Sequence, residues 1–319
     1  MKNQSVKMLP VSLFGAVMGI VGLGLLWRGA SAIFGLTSLV GEALIHLGAV
    51  IFAVLAVAYI IKAVRYGDEV RAEYHNAAQV GFFSTLPIGG LLLASGWLEY
   101  SMPLADAAWW ISTVVQFLLS LLLFSRLLTE SHVIENANGS WLICMVSPVI
   151  VPLAGIPLGH LDLSHFMFSI GFVMWIVIFT IVIYRTMFGP EIPLGLRPTW
   201  FIFIVPPSLC FLSYLDITGG ELDFFSRTMF YFTMFLTLVL CFSSRDVRKW
   251  PFTVAWWAFT FPFVTMSSAA LSYFEAAPGA VSQAVAVVTL VLTTLIVAVV
   301  TFRTLKALLS GNLLKLPDG

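Results

Sequence analysis

Residues 251–274 read PFTVAWWAFTFPFVTMSSAALSYF and residues 280–306 read AVSQAVAVVTLVLTTLIVAVVTFRTLK, and the contrast between them decides the fold. Each is long enough to cross a bilayer core, which takes about 20 apolar residues as a helix. The first carries Pro262 within an aromatic cluster, whereas the second is largely aliphatic and has no proline. Proline removes a backbone donor and displaces the carbonyl four residues earlier, so the first stretch is predicted to bend and the second to run straight.

Working outward, the same pairing recurs along the chain. Polar clusters cut the sequence into ten apolar stretches near 11–34, 39–64, 79–98, 104–127, 140–159, 163–187, 198–216, 222–243, 251–274 and 280–306. Pro87 lies in the third, Pro148, Pro152 and Pro157 in the fifth, Pro206 and Pro207 in the seventh and Pro262 in the ninth; the even stretches have no interior proline. The first has Gly15, Gly19, Gly22 and Gly24, which also loosen a helix. Pro152, Pro207 and Pro262 stand 55 residues apart, as a repeated helical hairpin would place them.

Composition agrees with lipid as the main solvent. Of 319 residues 60% are hydrophobic and 10% charged, against about 25% charged in a soluble domain. Sixteen basic residues balance sixteen acidic ones, so net charge does not suggest a nucleic-acid partner. Short connections leave no room for a soluble catalytic domain, and residues 1–319 are expected to form a single transmembrane domain. Cys144, Cys210 and Cys241 sit in separate apolar runs, without disulfide or zinc spacing. Lys2, Lys7 and Ala30-Ser31-Ala32 imitate a secretory signal, but the intervening run is longer than a signal core.

Positive loops stay cytoplasmic. Lys2, Lys7, Lys62, Arg65, Arg71, Arg126, Arg185, Arg197, Arg245, Arg248, Lys249, Arg303, Lys306 and Lys315 all fall on one face of a ten-span topology, leaving only Arg28 and Arg227 near the other. Both termini are therefore expected in the cytoplasm, and the odd spans run parallel, from inside to outside. Backbone groups freed at membrane depth need protein or a watery cavity beside them. The expected fold is an all-α integral membrane protein of five helical hairpins. Its proline-bent odd helices form an inner ring around a pore, and its even helices lie outside.

The spans carry no ionisable residue near a centre, unlike a proton relay or ion-coupled pump. Arg28 and Arg227 lie within about two turns of outer ends, where they either snorkel to water or collect anions at an outer mouth. The histidines lack metal or haem spacing and no nucleophile is paired with a base, so no cofactor, metal site or enzymatic activity is expected. Phe261, immediately before Pro262, holds an apolar ring at a bend. It reads as a packing residue or as a hydrophobic gate. Gly15 and Gly19 form a small-xxx-small pair suited to close helix approach.

Leu9-Pro10 with Phe14-Gly15, Val70-Arg71-Ala72-Glu73-Tyr74-His75, Pro206-Pro207-Ser208 and Trp256-Trp257-Ala258-Phe259-Thr260-Phe261-Pro262 together resemble the tellurite-resistance/dicarboxylate transporter family, which includes the bacterial TehA proteins and the slow anion channel of plant guard cells. The resemblance covers nearly the whole chain. It implies a homotrimer whose subunits each enclose a pore, a blocking phenylalanine at Phe261, a pore-bordering glycine at Gly15, and a bacterial inner-membrane location. The expected function is an anion channel for small monovalent anions with a largely uncharged pore bordered at its bends by Pro87, Pro148, Pro152, Pro206, Pro207 and Pro262. Without a deep fixed charge, weakly hydrated anions should enter more easily than chloride. The alternative is a secondary transporter of C4-dicarboxylates or tellurite-type oxyanions.

Overall fold

Long apolar runs free of interior breakers become long helices. In the computed structural model, which describes residues 6–311, these are α1 (Val11–Phe34), α2 (Leu39–Arg65), α3 (Val80–Trp97), α4 (Met102–Thr129), α5 (Gly139–Gly155), α6 (Leu161–Phe188), α7 (Leu194–Thr218), α8 (Phe224–Ser243), α9 (Val254–Ala276) and α10 (Ala280–Leu309). Among the described residues there is no strand, and nine of these helices are long and apolar enough to cross a membrane. The exception is α5, at the fifth predicted span. It is α-helical over Gly139–Val146, tightens to a 3-10 turn over Ser147–Ile150, resumes at Pro152 and ends at Gly155. Pro148 and Pro152, which cannot donate to a preceding turn, account for the breaks. Lys2 and Lys315, two of the charges that set the expected topology, lie outside the described residues.

The prolines act differently from the expected mid-helix bend. α1, α3, α7 and α9 each open with a 3-10 segment, Val11–Phe14, Val80–Ser84, Leu194–Ile204 and Val254–Trp256, before turning α-helical. Pro87, Pro206 and Pro207 fall in the first α-helical turn after that switch. A missing N–H costs little there, because first-turn donors have no intrahelical partner. Among the named prolines of α3, α7 and α9, Pro262 alone stands beyond the first turn of its α-helical stretch.

Burial separates the odd helices from the even. In α1, α3, α7 and α9 between 67% and 72% of the most apolar window is buried, against 22% to 33% in the even helices. The odd helices pack in a cyclic order, with α1 against α3, α3 against α5, α5 against α7, α7 against α9 and α9 back against α1. Each even helix lies against its hairpin partner and the next odd helix, so α2 covers α1 and α3, and α10 covers α9 and α1.

Glycine brings α1 and α9 together. A Cβ on Gly15 would lie 3.2 Å from Trp257 Cβ, and one on Gly22 would lie 2.8 Å from Val264 Cγ1, while Gly19 is filled by Thr260 in the same way. This is the small-residue packing that lets helix backbones approach closely. At the ends, buried charges pin the hairpins. Lys62 of α2 is 2% exposed, pairs with Glu73 of the short polar helix Gly67–His75 at 2.9 Å and donates to Leu9 O at 2.8 Å, while the Tyr59 hydroxyl donates to Glu73 Oε2 at 2.7 Å.

Candidate functional site

Two cavities lie between the odd helices. The first, about 40 Å³, takes Ser12, Gly15 and Met18 from α1 and Trp257, Phe261 and Pro262 from α9, with residues of α3, α5 and α7 between them. The second, about 610 Å³, takes Gly22 and Gly29 from α1, Leu153 from α5 and Phe261 to Ala276 along α9. Along every odd helix the first cavity is lined toward the N-terminal end and the second toward the C-terminal end, the two meeting at Leu209 on α7 and at Phe261 and Pro262 on α9. The cavities are therefore stacked end to end within the cycle of odd helices. Phe261, 5% exposed, lines both.

Their chemistry differs. Among the described residues the first has no titratable side chain, and its volume exceeds the roughly 10–15 Å³ that one water needs. Its hydroxyls come from Ser12, Thr85 and Ser147; Thr85 Oγ1 already donates to Phe82 O at 2.6 Å, and Ser147 Oγ to Ile143 O. Trp257 is 3% exposed, and its indole N–H has no acceptor among the described residues. The second cavity is wide, carries the Ser95, Ser268 and Ser272 hydroxyls, and has exposed Asp216 and Glu275 at its rim. Among the described residues no lysine or arginine lines either cavity.

Of the residues singled out from the sequence, Gly15, Pro206, Phe261 and Pro262 meet at the first cavity. Pro87, Pro148, Pro152 and Pro207 line neither cavity and instead shape the helices that do. Arg28 and Arg227 also line neither. Arg28 donates to both Glu42 carboxylate oxygens at 2.8 and 2.7 Å and to Gly96 O at 2.9 Å, joining α1, α2 and α3. Arg227 donates to the Tyr273 hydroxyl at 3.0 Å. Tyr100, between α3 and α4, donates its hydroxyl to Glu42 Oε2, and this bond raises the phenol's pKa. Leu209 and Trp257 are cavity residues that sequence reasoning passed over. For Leu209 a signal existed, since the 55-residue spacing pairs it with Val264, another lining residue.

A multi-pass helical membrane protein with stacked cavities between its buried helices belongs to the class of channels and transporters. The family described as SLAC1, voltage-dependent anion channel, matches residues 8–305, and the chain belongs to it. The chain is 27% identical over 307 residues to the guard cell S-type anion channel SLAC1 of Arabidopsis thaliana, covering 93% of this chain and 55% of that protein. It is 25% identical over 308 residues to the tellurite resistance protein TehA homolog of Haemophilus influenzae, covering 95% and 92%. It is also 21% identical over 285 residues to an uncharacterized transporter of Methanocaldococcus jannaschii. It thus spans about half the length of the plant relative and nearly all of the Haemophilus one.

Proposed function

We propose that the protein is a passive anion channel in which Phe261 blocks the resting pore. Ten crossings place both termini in the cytoplasm of a bacterium, α1, α3, α5, α7 and α9 ring the pore, and three subunits assemble, each with its own path. The observation that supports this reading is the position of Phe261, which lines both of two cavities stacked between the most buried helices. A large apolar side chain at a constriction excludes both water and ions. Basic residues in the last turns of even helices, Lys62 and Arg65 of α2, Arg126 of α4 and Arg185 of α6, mark the cytoplasmic side, so the first cavity faces the cytoplasm.

An ion in the first cavity loses most of its hydration and meets few groups that replace it. Small monovalent anions with weakly held water, such as iodide, thiocyanate and nitrate, therefore pass more readily than chloride. The Trp257 N–H, a buried donor without an acceptor, favours anions over cations. A dicarboxylate would enter the first cavity at a far higher desolvation cost, with no lysine or arginine among the described residues lining it to compensate.

The test is iodide and chloride flux into proteoliposomes holding wild type or Phe261→Ala. The channel reading expects the variant to pass both anions, iodide faster, without saturation or counterflow. Saturable counterflow of malate or tellurite would replace it with the transporter reading.

A further inference from the structure

The two cavities share two lining residues, Phe261 and Leu209. On α1 the lining passes from Met18 to Gly22, on α3 from Ile88 to Leu92, and on α5 from Ile150 to Leu153, with no residue common to both cavities. Only α7 and α9, which pack directly on each other, place a side chain at the partition itself. Leu209 is 3% exposed and belongs to the same buried apolar cluster as Phe261. On the α1 side the ring faces Gly22, where an added Cβ would lie 3.8 Å from Phe261 Cδ2.

We propose that the barrier is a two-residue apolar septum, in which Leu209 of α7 closes the part of the bore that Phe261 of α9 leaves open. This rests on the channel reading and extends it to a second conduction-determining residue. Removing the ring alone leaves a branched aliphatic side chain beside the path, and its dry surface keeps part of the barrier to a hydrated ion. Phe261→Ala is then a partly open pore. A ring placed at position 209 reaches the same constriction from the adjacent wall.

The experiment compares anion conductance of wild type, F261A, F261A/L209A and F261A/L209F in planar bilayers, each variant first checked for monodispersity and thermal stability. The septum predicts that F261A/L209A conducts several-fold more than F261A. It also predicts that F261A/L209F falls back toward wild type, the second double variant keeping the site filled if truncation destabilises it. Current in F261A that neither Leu209 substitution changes overturns the septum and leaves the channel reading standing. Absence of current in well-folded F261A overturns the channel reading, and the septum with it.

Discussion

Gly22 of α1 lies so close to Val264 of α9 that a Cβ on the glycine would stand 2.8 Å from Val264 Cγ1. Valine is stiff about χ1 and cannot turn that methyl aside cheaply. Gly22→Ala is therefore expected to destabilise the protein by about 1–3 kcal/mol, as overpacking does. Val264→Ala in the same molecule should recover most of the loss. Thermal unfolding of the four proteins in detergent checks it; additive losses would contradict the contact.

The Lys62 and Glu73 pair predicts a second cycle. Lys62→Met leaves the Glu73 carboxylate, 14% exposed, with the Tyr59 hydroxyl as its one side-chain partner among the described residues, and is expected to cost about 3–5 kcal/mol. Lys62→Met/Glu73→Gln removes both charges and should be markedly less harmful. The readout is unfolding temperature, together with proteolysis at the helix Gly67–His75, which the pair anchors.

This cluster also shows where the sequence stopped being legible. Hydropathy and the alternation of proline-bearing and proline-free stretches were enough to expect hairpins with odd helices inside, because burial on all sides and exposure to lipid leave different patterns. The sequence could not tell that Pro87 and Pro206 would sit in first turns, since the switch from 3-10 to α depends on neighbouring helices. Lys62 read as a loop charge following a span. Its burial arises from the fold bringing Glu73 and Leu9 O around it. Phe261 was legible because proline marks its place, whereas Leu209 has only its 55-residue correspondence with Val264, and neither residue is distinguished from its neighbours until the cavities are seen.

At the start of α8, Asp223 Oδ1 accepts from the Ser226 N–H at 2.8 Å and Oδ2 from the Tyr214 hydroxyl at 2.5 Å. These bonds, the Ser226 backbone first, hold its carboxyl below the ordinary range. A depressed native pKa contributes stability that is present above the unfolded value, about 3.9, and lost as pH falls through the native one. Asp223→Asn keeps a capping oxygen but removes the charge. Its unfolding temperature should lie below wild type by a constant margin between about pH 5 and 8, and the margin should close in stronger acid. A margin unchanged by acid would show that the charge contributes nothing.

Gly15 borders the first cavity, where a Cβ would already touch Trp257 Cβ at 3.2 Å. Gly15→Asp sets a carboxylate against the path of an anion. In the Phe261→Ala background it should cut anion current strongly, while Gly15→Asn, nearly identical in size but neutral, should cut it less. Equal loss in both would assign the effect to crowding alone.

The central claim meets its most direct test in single-channel recording of wild type beside Phe261→Ala in planar bilayers with iodide and chloride on opposite sides. The account predicts rare or no openings in wild type, sustained unitary currents in the variant, and a reversal potential displaced toward iodide. A folded, bilayer-inserted Phe261→Ala that stays as silent as wild type, or one that passes chloride in preference to iodide, would contradict it.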